Sequence, residues 1–445
     1  MKNTVQKNRQ YLTRCKEDLE RAENHGDSEK YSLALANYAY ALGINKKFEQ
    51  SVENFNQAEI LAGTQVEDVN VLVQGLSLRA LMYQEAKRLP DAFRTVGRIL
   101  QIAEEEGDRG IECDGLANQG QILLESGEFM ESFNRFQRAE QLAQQLEDPT
   151  RLMKVKGALA NLSLSVPSLE KAELYYRQGL ELARELADRE TEFGYLGNLG
   201  AVLAWQGRHQ GAVEIFEEVL AHYQEMGDDE KVIQVLRKLV KSYNQLEKDQ
   251  KVLDYAFQGI DLLDDQVDEV VFDFLEAVIL SYFRQGKLQQ AQNMIADAIT
   301  IARSSGDKTR EVEFLIDLGE SFLASEMIDR ARETYQEALA GAEELEHKNF
   351  QAYLTGRLGY TSAELGELKK AVEYHQQAIT LAQENHLAEL EGSQHSMLAV
   401  TYRELGEMEK ALEHGQKAVD IFQLAELDAE TKQAQSLVDE LQDLA

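Results

Sequence analysis

From Tyr195 to Leu220 the chain reads YLGNLGAVLAWQGRHQGAVEIFEEVL. Apolar residues recur there at three- and four-residue spacing, the mark of an amphipathic helix. Yet the stretch also holds Gly197, Gly200, Gly207 and Gly211. A glycine inside a helix costs about 1 kcal/mol relative to alanine, so the pattern needs a reason for them. Repetition supplies one. Stepping from Gly200 in both directions gives Ala39, Ala80, Gly120, Ala160, Gly200, Val240, Ile279, Gly319, Gly359 and Ala399, at steps of 39 to 41 residues. Eight of these ten are glycine or alanine, which places a tight helix crossing in every period. A second column, twelve residues on from Ser51 to Ala411, is small at nine of ten positions. A third runs from Ala58 to Ala418 at the same period.

Each period reads as two amphipathic helices with a short turn. Gly127, Gly207, Gly286, Gly366 and Gly406 share one turn column, and glycine ends helices because it adopts the left-handed conformation without a Cβ clash. Asp108, Asp148, Asp188 and Asp228 fall forty apart; each is placed to accept the free N–H groups of the helix that follows. The pattern predicts an all-α array of about ten helix-turn-helix repeats, with single helices covering both ends. The expected divisions are a capping helix over 1–29, six repeats over 30–265, four over 266–428 and a second capping helix over 429–445. Between residues 245 and 280 the array is expected to bend, because Val240, Val252 and Ile279 fill small columns and the step shortens.

Composition agrees with a repeat array. The chain has 445 residues, too many for one core, and its three prolines leave no room for a proline-rich linker. Cys15 and Cys113 form neither a disulfide framework nor a metal-binding pair. A net charge of −33 repels nucleic acid and anionic membranes; it either keeps an elongated molecule soluble or attracts a basic partner. No apolar run of membrane-spanning length and no secretory signal occurs, so a cytoplasmic location is expected. The eight histidines show no metal-ligand spacing, and no nucleophile elbow or phosphate loop is present. Gly194, Gly197 and Gly200 follow no strand, and Gly200 belongs to a packing column, while Gly197 and Gly211 fall outside the columns. No enzyme activity, cofactor or metal is expected.

Leu199-Gly200, then Gly207, Ala212, Phe216 and Leu220, resemble the tetratricopeptide repeat, and the likeness extends over roughly residues 30–425. That repeat has a period of about 34 residues; the longer period here is similar to Pins-type adaptors, kinesin light chains and bacterial regulators of the Rap and MalT type. The resemblance implies a right-handed α-solenoid, a superhelix whose groove is lined by the first helix of each repeat and holds a partner's peptide. It implies a groove column just before the crossing: Asn37, Leu78, Asn118, Ala158, Asn198, Lys238, Val278, Asp317, Arg357 and Met397. A further column, one residue past the crossing, includes Tyr40, Asn161, Lys241 and Tyr360.

Asparagine offers donors and an acceptor to a peptide backbone. Trp205, the single tryptophan, is either an interface anchor or inter-repeat packing. From Glu230 to Val252 six basic residues face three acidic ones. Chaperone-binding members of the family clamp a carboxylate with two asparagines and basic residues; Asn161, Asn198 and Lys238 match three of five such positions, while Gly157 and Gln234 stand where lysines belong. Asn161, Asn198, Arg237, Lys238 and Lys241 are therefore the candidates to bind an acidic segment or C-terminal carboxylate of a protein partner, with Asn118 and Trp205 as further contacts. The expected function is a scaffold or adaptor. The alternatives are a sensor that changes shape on binding a peptide or small ligand, and a subunit of an assembly whose enzyme is another chain. Partner identity and oligomeric state are not legible.

Overall fold

Among the described residues, aspartate caps seven of the ten first helices of the repeats, and left-handed residues follow most helix ends. The computed structural model of the protein describes residues 2–66, 68–263 and 269–444. Among these there are twenty-two helices and no strand. The first helices of successive repeats are α2 (Ser28–Ile44), α4 (Val69–Glu85), α6 (Arg109–Glu125), α8 (Pro149–Ser165), α10 (Arg189–Trp205), α12 (Asp229–Gln245), α14 (Glu269–Arg284), α16 (Lys308–Ala324), α18 (Lys348–Glu364) and α20 (Ala388–Glu404). Odd-numbered helices alternate with them. Asp108 accepts from the amides of Gly110 and Ile111, Asp148 from Arg151, Asp188 from Thr191 and Asp228 from Lys231. Each such cap stabilises its helix by about 1 kcal/mol.

Most turns use a residue at positive φ, although the turn that follows α8 has Pro167 in that column and none. Glycine serves at Gly127, Gly207, Gly286, Gly366 and Gly406, with φ of 68° to 82°. Elsewhere the same turn columns hold Lys46, Lys87, Glu247 and Glu326, or Glu147, Ala187, Glu346, His386 and Glu426, all at φ of 49° to 63°. The turn is therefore set by the repeat, and glycine is only its least strained occupant.

The three small-residue columns are the core. Every member of the first column is buried, and Ser51, Ala92, Ser132, Ala172, Ala212, Val252, Ala291, Ala331, Ala371 and Ala411 all have 0% exposure. Ser51 and Ser132 stay polar there because each donates to the carbonyl of its crossing partner, Ala39 at 2.7 Å and Gly120 at 2.8 Å. The glycines are explained by rings. A Cβ on Gly120 would lie 2.7 Å from the Phe136 ring, on Gly200 2.6 Å from Phe216, on Gly319 2.4 Å from Tyr335 and on Gly359 2.7 Å from His375. Each ring stands sixteen residues past its glycine. Where the crossing residue is large, the residue sixteen on is smaller: Val240 goes with Ala256 and Ile279 with Ile295, all buried. So Val240, which breaks the small-residue column, exchanges volume with Ala256, while Ile279 meets an isoleucine in place of a ring.

Ion pairs join neighbouring repeats. Arg151 meets Asp114 at 2.9 Å, Arg310 meets Glu276 at 2.8 Å, Arg332 meets Glu367 at 3.5 Å and Arg403 meets Glu440 at 2.8 Å. The partners in these pairs stand 34 to 37 residues apart. At the ends, α1 (Lys2–His25) buries Cys15, and α22 (Asp428–Leu444) buries Ala434, Val438 and Leu441. Val438 and Leu441 fill the space that Gly415 leaves open.

The chain divides into two compact units, Met1–His222 and Tyr223–Ala445, each an α-solenoid of helix pairs. The boundary expected at 265/266 lies outside the described residues.

Candidate binding face

A residue two positions before a buried crossing sits at the margin of the first helix, outside the core columns. Asn118, Asn198, Asp317 and Met397 are exposed there, and Asn37, Leu78, Lys238 and Arg357 are half-buried. Val278 is a correction: it is fully buried, because it stands one residue before Ile279 rather than two. Ala277 takes its place and lines a cavity.

In the first unit, Asn37 and Asn118 line one open cavity of 730 Å³ across α2, α4 and α6, together with Asn70, Gln74, Leu78 and Leu81. Asn161 and Asn198 do something else. The Tyr176 hydroxyl donates to Asn161 Oδ1 and is also held by the Asn198 side chain. Both amides thus secure the hydroxyl of a ring that is 1% exposed. The space at Gly157, where a clamp lysine would project, is filled by Tyr195, whose hydroxyl would lie 2.3 Å from an added Cβ; that hydroxyl donates to the Met153 carbonyl at 2.9 Å. Trp205 is 62% exposed at the C-terminal end of α10, so it does not pack between repeats.

In the second unit, Arg237, Lys238 and Lys241 come together around a 750 Å³ cavity between α12 and α14. Asp273 and Glu276 line it as well. Arg237 is ion-paired with Asp273, and burial pushes the Lys238 ammonium below its ordinary value. Lys241 is exposed. The patch that is basic along the sequence is therefore mixed in space.

A larger cavity, 880 Å³, opens over α18 and α20. Leu323, Tyr353, Gly356, Arg357, Tyr360, Leu387, Leu390, Gln394 and Met397 line it, with Glu389 at its edge. Glu320 organises one wall. It accepts from the hydroxyls of Tyr335 at 2.7 Å and Tyr353 at 2.8 Å and pairs with the Arg357 guanidinium. Arg357 also stands 5.4 to 6.0 Å from the ring centres of Tyr335, Tyr353 and Tyr360, within cation–π range. Beneath the cavity, Gln394 Oε1 lies 2.8 Å from His375 Nδ1. Burial lowers the His375 pKa, so the ring is neutral, and this pairing puts its proton on Nδ1. His375 is 1% exposed and packs between helices against Gly359. All three cavities open mainly between even-numbered helices.

Residues 275–442 match the model of the MalT-like TPR region, and residues 194–226 match the model of the tetratricopeptide repeat. Over those two stretches the chain is built of tetratricopeptide repeats. The solved structure of apo RapI matches with a TM-score of 0.54 at 16% identity, covering 80% of this chain and 98% of that one. The apo form of the quorum sensor NprR from B. thuringiensis matches with a TM-score of 0.44 at 13% identity, covering 80% and 99%. A signal transduction ATPase with a tetratricopeptide-repeat sensor from Pyrococcus horikoshii matches with 0.47 at 15% identity, covering 92% and 69%. The likeness to RapI is one of fold. Among curated proteins none matches significantly.

Groups of His, Cys, Asp and Glu able to hold a metal ion are absent among the described residues. No described helix is long and apolar enough to cross a membrane. The sequence missed the Glu320–Arg357 network, although the 37-residue spacing of its partners was there to read. Asp317 belongs to the same face. Its carboxyl reaches solvent, but the groove walls desolvate it and Glu276, Glu313 and Glu320 repel its charge, so it is pushed up to about 6. A raised carboxyl pKa means that the folded state holds the proton more tightly. The associated stability is full below the ordinary carboxylate range and is lost as pH rises through about 6. Asp317→Asn is thus expected to raise stability at pH 7 by about 1 kcal/mol, after allowing for solvent screening. The gain should vanish at pH 4, as thermal unfolding of both proteins at the two pH values would show.

Proposed function

We propose that this chain is a binding array that holds an extended segment of a protein partner along its even-numbered helices. The observation that carries this reading is the placement of the cavities: those of 730, 750 and 880 Å³ are each lined chiefly by successive first helices. A groove of that kind presents side chains from several repeats to one strand of peptide, which is how repeat arrays build extended binding surfaces. Ligand sites concentrate in such apolar clefts with a few placed polar groups. The three basic residues of the α12–α14 cavity remain the candidates for an acidic stretch of the partner, with Lys241 exposed and Arg237 already paired with Asp273.

The test is selection of a phage-displayed random peptide library on the intact chain, followed by hydrogen exchange with the recovered peptides. Protection is expected on the even-numbered helices. Protection confined to odd-numbered helices, or no recovered peptide, would overturn the reading.

A further inference from the structure

The cavity over α18 and α20 has a composition that selects its occupant. Leu323, Leu387, Leu390 and Met397, with the Tyr353 and Tyr360 rings, make most of its wall apolar. Two hydrogen-bond donors face it. Gln394 is 7% exposed. With its oxygen given to His375, its Nε2 has no partner among the described residues. That nitrogen overlies Gly356, where an added Cβ would stand only 2.5 Å away, so the glycine is what lets the amide reach the cavity floor. The second donor is Arg357. Its Nε and Nη2 are engaged by Tyr335 and Glu320, which leaves Nη1 for the cavity.

Because Glu320 already balances the Arg357 charge, these donors suit an uncharged acceptor, such as a peptide carbonyl, better than another anion. An extra carboxylate would also meet Glu389 at the cavity edge and Asp317, which is close enough to act on the Tyr353 hydroxyl. Neither Glu389 nor Asp317 has an ion-pair partner among the described residues. The unmet charge at this end of the groove is negative.

We propose that this cavity is an anchor site for a bulky apolar side chain of the partner segment, next to a lysine or arginine. The anchor fills the space between Tyr360, Leu390 and Met397. The carbonyl of the segment accepts from Gln394 Nε2 and Arg357 Nη1. The neighbouring cation lies on the α16 side of the cavity, toward Asp317, with Glu389 adding to the negative field from α20. Charge complementarity points to this occupant, and it rests on the peptide-binding reading above. It gives the two ends of the second unit's face opposite tastes, since Arg237, Lys238 and Lys241 line the cavity at α12.

The peptides recovered from the phage library test it. A shared pattern of Leu, Met or Phe beside Lys or Arg is expected. Met397→Asp, which alters an exposed wall residue, and Asp317→Lys should each weaken those peptides by about tenfold or more. The milder Met397→Ala and Asp317→Asn should lower affinity in the same order, with circular dichroism confirming the fold of all four. Glu181→Gln, at an exposed position on an odd-numbered helix of the first unit, should leave the affinity unchanged. Peptides that protect even-numbered helices but lack the pattern, or bind the Met397 and Asp317 variants as tightly as the parent, would overturn the anchor site while leaving the binding array intact. Failure to recover any peptide would remove both.

Discussion

Gly200→Val is expected to lower stability by about 3 kcal/mol, near the upper end for overpacking a filled core. The helix itself would tolerate a side chain there, and losing a glycine even helps it by a fraction of a kcal/mol. The cost comes from Phe216, which is 1% exposed and has nowhere to go; a Cβ would already sit 2.6 Å from its ring. Phe216→Ala alone should cost about 3 to 4 kcal/mol, through lost burial and a cavity. The double variant is the decisive measurement. It reproduces in the fifth repeat the pairing that the sixth already uses, Val240 with Ala256, both buried. Its stability should return to within about 1 to 2 kcal/mol of the parent, a strong favourable coupling for residues in contact. Urea unfolding of the four proteins reads the coupling directly. Simple addition of the two single costs would refute the volume exchange.

Glu320→Ala is expected to destabilise the second unit by about 2 kcal/mol. Three donors lose their acceptor at once: the hydroxyls of Tyr335 and Tyr353, and the Arg357 guanidinium. Tyr335 is fully buried, so its hydroxyl carries the larger penalty, and an unpaired half-buried cation adds to it. Two effects work the other way. Water can reach the network from the open cavity, and Asp317 loses one repelling neighbour. Glu320→Gln keeps an acceptor and should cost less than half as much. Hydrogen exchange should localise the loss to α16, α18 and α20. An unchanged exchange pattern there would show that the network is incidental to stability.

The sequence revealed the architecture because the repeat multiplies a weak signal tenfold. One small residue at Gly200 means little; three columns of them at one period determine which face of each helix is buried. The aspartate caps were legible for the same reason. The site was not, and particular residues show why. Asn198 and Asn161 stand in groove columns, but their amides are engaged by Tyr176 of a second helix, a contact that the first-helix columns do not contain. Arg237, Lys238 and Lys241 form a basic run along the chain, but Asp273 from the next repeat neutralises Arg237. Local charge counting cannot see a partner 36 residues away. Val278 was misplaced by one position where the period shortens, and a one-residue slip turns a helix by about a quarter turn. Trp205 was undecided between an interface anchor and inter-repeat packing, because an aromatic at a helix end serves either.

The repeats share a backbone but not a complement. Arg151 finds its aspartate in the repeat before it, Arg332 its glutamate in the repeat after it, and Val240 needs the alanine that its own repeat supplies. Each unit of the array therefore carries an address. A duplicated or transposed repeat would keep its fold and still meet the wrong neighbour, with a like charge where an opposite one belonged. Such an array can change freely on its groove while its order along the chain stays locked, so new partners would be gained by altering exposed residues rather than by shuffling repeats.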